Sequence, residues 1–122
     1  MKLLFIDHIV LIVKDLKETE KFYTSFLGKP VHLFDDYITY QIGETQIFFA
    51  TADPEWKSID KDSGGLNHLA FGVRTIEELR EFEKTLNNSG INNSGIQIDK
   101  YGKKDFIWFD DPSGYRLEFY LR

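Results

Sequence analysis

Two histidines and one glutamate are the side chains of this sequence whose types and surroundings suggest chemistry. His8 lies in the β-branched run IDHIVLIV, His68 in the run LNHLAFGV, and Glu118 in the apolar and aromatic run YRLEFYL. A carboxylate in such a run is costly to bury unless it is paired, protonated or bound to a metal ion. Two imidazoles and one carboxylate match the donor set of catalytic metal sites that keep open coordination positions. The sequence therefore predicts a divalent-metal site, and the alternative is that the histidines are merely hydrogen-bonded.

The alternation of side chains across a β-strand predicts which residues share a face with these three donors. The predicted sets are His8 with Val10 and Ile12, His68 with Ala70 and Gly72, and Glu118 with Arg116 and Tyr120. The small residues beside His68 leave room next to its imidazole. We expect the three donors to line a space rather than to be packed into a core.

The elements that carry these donors occur twice along the chain. Asp15 and Thr75 stand at helix N-cap positions, and Glu18 and Glu78 follow three residues later, as in a capping box. A shift of sixty residues aligns the first strand and helix of the two halves, including the two candidate histidines, whereas His32 has no counterpart and is expected at the surface. The predicted strands are 6–13, 31–34, 37–42 and 45–51 in the first half, and 66–73, 96–99, 105–109 and 115–121 in the second.

This pattern predicts an α+β fold. Two βαβββ modules are expected to form a cupped, mostly antiparallel mixed sheet around a cavity, with the helices outside. The chain has 122 residues, of which 42% are hydrophobic, so we expect one domain. Its predicted parts are module one at 4–52, a polar connector at 53–65 and module two at 66–122.

The composition of the chain limits which binding partners, cellular location and metal-donor atoms are expected. The formal net charge of −5 disfavours a nucleic-acid backbone as a partner. No apolar run is long enough to cross a membrane, and the first residues lack the pattern of a secretory signal, so a cytoplasmic location is expected. The chain has no cysteine, so a metal ion would be held by nitrogen and oxygen.

Three stretches resemble the vicinal oxygen chelate superfamily, which includes glyoxalases, bleomycin-resistance proteins and extradiol dioxygenases. They are DHIVLIVKDLKETEKFYTSFLG at 7–28, LNHLAFGV at 66–73 and DDPSGYRLEFY at 110–120. The resemblance implies that His8, His68 and Glu118 bind one divalent metal ion inside the cupped sheet. Zinc, manganese, ferrous iron and nickel all suit this donor set. The resemblance also implies a homodimer and a small-molecule substrate that chelates the metal ion.

The reaction class stays open among several chemistries of this superfamily. A further glutamate ligand of many glyoxalases would fall near Ile47 or Phe48, and both residues are apolar. Without that ligand the site is more similar to those of the superfamily's thiol transferases or dioxygenases. Our first hypothesis is a lyase, isomerase or thiol transferase that acts on a small oxygenated substrate. The alternatives are an extradiol-type ring-cleaving dioxygenase and a non-catalytic protein that sequesters a ligand or drug.

A substrate pocket is predicted around the metal site. Its expected residues are Trp108, Tyr40, Phe48, Arg116 and Tyr120. No catalytic acid or base is assigned from the sequence, although a dioxygenase would need one. The candidates for that role are Tyr40, Tyr115 and Tyr120.

Overall fold

The computed structural model describes residues 1–51 and 56–122 of the chain. Of the connector predicted at 53–65, residues 53–55 lie outside the described part. The chain divides into two units, and each runs in the order strand, helix and three strands. The predicted α+β class with two βαβββ modules is confirmed, and the strands form one four-stranded mixed sheet in each unit.

The first unit spans Met1–Lys57. Its elements are β1 His8–Val13, α1 Leu16–Leu27, β2 His32–Leu33, β3 Tyr37–Ile42 and β4 Thr45–Thr51. The strand order is β1-β4-β3-β2, in which β1 and β4 are parallel and the other neighbours are antiparallel. The helix begins as predicted, because the Asp15 side chain accepts a 2.9 Å hydrogen bond from the Glu18 backbone N–H.

The second unit spans Ser58–Arg122 and repeats this topology. Its elements are β5 Leu69–Val73, α2 Ile76–Asn88, β6 Gln97–Ile98, β7 Asp105–Asp110 and β8 Arg116–Leu121. The strand order is β5-β8-β7-β6, with β5 and β8 parallel. The Thr75 hydroxyl accepts a 3.2 Å hydrogen bond from the Glu78 N–H, so the second predicted N-cap is confirmed.

One face of each sheet packs against the helix of its own unit. In the first unit the rings of Tyr23 and Phe49 lie 4.2 Å apart, and in the second the rings of Phe82 and Phe119 lie 4.4 Å apart. Burial of such an aromatic side chain stabilises the fold by roughly 1.5–3 kcal/mol. Because alternate residues point away from the helix, each sheet has a second face, called here the open face, which carries the candidate donors.

The start of β5 differs from the sequence prediction. The strand predicted at 66–73 begins at Leu69, so His68 lies immediately before β5 rather than within it. Gly64 and Gly65 have φ values of 104° and 72°, which turn the chain just before this point. No helix in the described residues is both long and apolar enough to cross a membrane.

Candidate metal centre

His68 and Glu118 come together on the open face of the second unit. Glu118 pairs in register with Ala70 of β5, two residues after His68, and the small Ala70 side chain leaves space for the imidazole. The His68 Nε2 atom lies 3.6 Å from Glu118 Oε2. The His68 side chain is 42% exposed and that of Glu118 only 16% exposed. The second unit therefore brings two of the three predicted donors together.

Their separation fits two ligands of one ion better than a direct hydrogen bond. A hydrogen bond between nitrogen and oxygen is normally about 2.7–3.2 Å long. Two donors each about 2.1 Å from a tetrahedral ion would lie about 3.4 Å apart. Among the described residues, the Glu118 carboxylate has no hydrogen-bond partner and one ion-pair contact, that with His68. Glu118 is thus left free to bind a cation.

Both candidate histidines use Nδ1 in a contact with the residue before them. His68 Nδ1 lies 2.7 Å from Asn67 Oδ1, and His8 Nδ1 lies 2.9 Å from Asp7 Oδ1. Each contact leaves the Nε2 atom available for another partner. Asp7 and Asn67 were not predicted as site residues, although they occupy equivalent positions under the same shift of sixty residues.

His8 lies in the first unit, at the start of β1 on its open face. Its ring contacts Phe48 edge-on, with 5.6 Å between ring centroids. The His8 side chain is 54% exposed. Within neither unit do the described residues include a cluster of three or more His, Asp or Glu side chains that could hold a metal ion. The part played by His8 therefore remains a prediction.

The His68–Glu118 pair lines a cavity of about 460 Å³ in the second unit. Its other lining residues are Ala70, Asp99, Tyr101, Tyr120 and Arg122. The wall thus combines the candidate donors with two phenols, a carboxylate and a guanidinium group. Such a mixture suits a small polar molecule rather than a wholly apolar one.

Tyr120 and Asp99 form the best-defined polar contact in this wall. The Tyr120 hydroxyl donates a 2.7 Å hydrogen bond to Asp99 Oδ2. This bond lowers the pKa of Asp99, and the backbone N–H groups of Tyr101 and Gly102 lower it further. The same contact raises the pKa of Tyr120, with desolvation as a smaller cause. Tyr120 therefore remains protonated near neutral pH, with its proton directed at Asp99.

Trp108 and Arg116 share the open face with Glu118 but are not among the residues lining this cavity. Trp108 is the register partner of Glu118, and the Arg116 guanidinium lies 4.0 Å from the centroid of the Trp108 ring. Arg116 Nε also donates a 2.6 Å hydrogen bond to Asp110. The charge of Arg116 is thus partly balanced within the unit.

Tyr40 and Phe48 lie on opposite faces of the first sheet. Tyr40 is 1% exposed and faces α1, where its hydroxyl lies 2.8 Å from the Thr24 hydroxyl. Burial raises the pKa of Tyr40, the Thr24 hydrogen bond opposes that rise, and Glu20 adds to it. Phe48 lies on the open face beside His8. Tyr40 is therefore part of the core of the first unit. Phe48 lies beside His8, the predicted metal ligand of that unit.

The model of the Glyoxalase/Bleomycin resistance protein/Dioxygenase superfamily matches residues 5–119. The chain belongs to this superfamily. The match includes the first βαβββ module, the second up to the last two residues of β8, and all three predicted metal donors. The resemblance given by the three sequence stretches is therefore confirmed.

Relatives of this superfamily member include proteins with and without a described activity. The chain is 30% identical to the uncharacterized protein YwkD of Bacillus subtilis, covering 98% of each chain. It is 28% identical to the metallothiol transferase FosB of Bacillus licheniformis, covering 96% of this chain and 75% of that protein. A glyoxalase family protein of Enterococcus faecalis has a similar structure, with a TM-score of 0.78, 26% identity and coverage of 95% and 96%.

The donors of this superfamily member suit a divalent ion. One imidazole nitrogen and one carboxylate oxygen face each other across 3.6 Å, with a cavity beside them. Imidazole and carboxylate ligands are compatible with zinc, ferrous iron, manganese and nickel, and an absence of thiolates disfavours softer ions. The residues present therefore fit the metal ion that superfamily membership implies.

Proposed function

We propose that this chain is a metal-dependent enzyme that acts on a small oxygenated substrate. In this proposal His68 and Glu118 supply two metal ligands, and His8 supplies the third from the same chain or from a second copy. The observation that carries the proposal is the 3.6 Å approach of His68 Nε2 to Glu118 Oε2 at the wall of a cavity. A divalent ion bound there would act as a Lewis acid that polarises a substrate oxygen.

The residues of the second unit support this role in distinct ways. Glu118 brings a negative charge that attracts a cation, and its partly buried position strengthens that attraction. Ala70 keeps space open beside the two donors. The Tyr120 hydroxyl lines the cavity and donates its hydrogen bond to Asp99, so its oxygen can accept a hydrogen bond from a substrate hydroxyl. These groups would bind and orient the substrate.

Thiol transfer is the reaction class that the comparisons favour. One relative, the metallothiol transferase FosB, has a named activity and is 28% identical over 96% of this chain. On this proposal, the sulfur of a thiol would bond to an electrophilic carbon of the substrate as the carbon–oxygen bond breaks, and the thiol proton would pass to the released oxygen. A divalent ion held by His68, Glu118 and His8 would supply Lewis-acid stabilisation of that oxygen. Lyase and isomerase chemistry would use the same three donors, so assays for thiol consumption are needed to distinguish them.

Metal analysis of purified protein tests the proposal. Protein prepared without chelator should contain about one divalent ion per set of three donors, and His68→Ala should lose it. The matched control is His32→Ala, because His32 is an exposed histidine on β2 in the first unit. Retention of the metal ion by His68→Ala, or its equal loss from His32→Ala, would contradict the assignment.

Activity assays then separate the possible functions of a metal-bearing protein. Loss of free thiol from a mixture with small epoxides would support thiol transfer. Oxygen consumption with catechols in the presence of ferrous iron would instead indicate a dioxygenase. Tight binding of a ligand by metal-free protein would indicate a sequestering role. Light scattering would test the proposed homodimer.

A further inference from the structure

We propose that Asn67 is a positioning residue that holds His68 in the tautomer needed to bind a metal ion. In this tautomer the proton is on Nδ1, and the lone pair of Nε2 faces Glu118. The inference rests on the proposed function, since it explains how a ligand of the proposed site is prepared. It concerns the loop before β5 rather than the metal ligands themselves.

The orientation of the Asn67 amide follows from the two oxygen acceptors that its nitrogen contacts. Asn67 Nδ2 lies 3.0 Å from the Lys61 carbonyl oxygen and 3.0 Å from Asp62 Oδ1. Both partners are acceptors, so the nitrogen end of the amide must point at them. The oxygen end therefore points at His68. A flipped amide would place its oxygen against two other oxygens and lose both bonds.

The fixed amide decides where the imidazole carries its proton. Asn67 Oδ1 is only an acceptor, and it lies 2.7 Å from His68 Nδ1. Nδ1 must then be the protonated nitrogen, which leaves Nε2 unprotonated in the neutral ring. Nε2 is the atom that lies 3.6 Å from Glu118 Oε2. The loop at 61–67 thus prepares an unprotonated nitrogen next to the carboxylate.

The Asp62 carboxylate strengthens this arrangement at the far end of the network. It contacts the Lys61 ammonium at 3.0 Å and accepts from Asn67. An acceptor with a negative charge holds the amide N–H more firmly than a neutral one. Hydrogen bonds to the second nitrogen of a metal-binding histidine orient its ring, and their loss usually costs about ten- to one-hundred-fold in metal affinity.

Two substitutions at Asn67 separate positioning from a merely structural role. Asn67→Ala removes both the donor and the acceptor of the side chain. Asn67→Asp, made together with Asp62→Asn so that the new carboxylate does not face the Asp62 carboxylate, removes the donor to Lys61 but keeps an acceptor for His68 Nδ1. If Asn67 positions His68, Asn67→Asp keeps the Nδ1–H tautomer and the metal affinity, and Asn67→Ala loses both. If Asn67 only anchors the loop, the two variants lose metal affinity equally.

The tautomer is read directly from metal-free, ¹⁵N-labelled protein. Long-range ¹H–¹⁵N correlation spectra, recorded over a series of pH values, distinguish the two neutral tautomers of His68 from each other and from the doubly protonated ring. We expect the Nδ1–H form in the wild type and in Asn67→Asp. We expect the Nε2–H form to dominate in Asn67→Ala. An unchanged tautomer in Asn67→Ala would overturn the inference.

Titration with Mn²⁺ and with Zn²⁺ provides the second measurement. Asn67→Ala should bind about ten- to one-hundred-fold more weakly than the wild type, and Asn67→Asp should remain within a few-fold of it. Asn92→Ala is the matched control, since Asn92 is exposed and lies outside this network. Equal losses in both Asn67 variants would overturn the inference. A wild type that binds neither ion would refute the proposed function, while the spectra would still decide the role of Asn67.

Discussion

The Tyr120 hydroxyl and the Asp99 carboxylate, 2.7 Å apart, join the last strand of the second unit to the loop at 99–104. Asp99 also accepts hydrogen bonds from the backbone N–H groups of Tyr101 and Gly102. One carboxylate thus organises the loop and ties it to the wall of the cavity. A Cβ atom at Gly102 would overlap the Tyr120 hydroxyl, which accounts for glycine at this position.

Tyr120→Phe should loosen this loop without affecting metal binding. The substitution removes the hydroxyl but keeps the ring, so Asp99 loses its contact with β8. Amide hydrogen exchange at Tyr101 and Gly102 should become faster, while exchange in β5 and β7 stays unchanged. Unchanged exchange at the two loop amides would show that the backbone alone holds the loop.

The hydrogen bond between Tyr120 and Asp99 also predicts that the free energy of unfolding falls in acid. Because hydrogen bonds lower the pKa of Asp99 in the folded state, its stabilising contribution is present above the ordinary pKa of 3.8. That contribution is lost as the pH falls through the lower pKa of the folded state. In Tyr120→Phe the Asp99 pKa, followed by NMR, should rise toward its ordinary value. An identical Asp99 titration in the two proteins would contradict this account.

Tyr40→Phe should reduce the free energy of unfolding by about 1 kcal/mol, because the hydrogen bond to Thr24 is lost while the ring remains packed. The pKa of Tyr40 is raised in the folded state, so its contribution is present below the ordinary value of 10.0 and falls as the pH rises through the folded pKa. Urea denaturation at neutral and alkaline pH measures both effects. The stability difference between wild type and Tyr40→Phe should shrink in alkali.

Glu118→Gln should abolish stabilisation by added metal. A ligand that binds the folded state at one hundred times its Kd stabilises it by about 2.7 kcal/mol. Thermal unfolding with and without Zn²⁺ or Mn²⁺ should show a rise in Tm for the wild type and none for Glu118→Gln. Glu44→Gln is the control, since Glu44 is an exposed carboxylate in the turn between β3 and β4. A metal-dependent rise in Tm that survives in Glu118→Gln would place the ion elsewhere.

Most of the fold could be predicted because its signals are local. Asp15 and Thr75 mark the helix starts through side chains that cap backbone N–H groups nearby. The start of β5 was harder to predict, since the apolar character of Leu66 suggested an earlier start. The chain turns at Gly64 and Gly65, and the paired part of the strand begins only at Leu69.

The candidate site was only partly predictable for a physical reason. Alternation within β8 placed Glu118 and Tyr120 on one face, and the register confirms this. Tyr40 was harder to assign, because β3 carries aromatic residues on both faces and its own sequence does not reveal which face meets the helix. The roles of Asn67 and Asp99 depend on hydrogen bonds that no hydrophobic pattern reports.

The position of β8 between β5 and β7 has a consequence for biosynthesis. This strand comes last in the unit, yet it occupies an interior place and carries Glu118. A nascent chain that ends before β8 would have two separated sheet fragments and only one member of the His68–Glu118 pair. Emergence of β8 from the ribosome would therefore complete the sheet and assemble the pair in the same event.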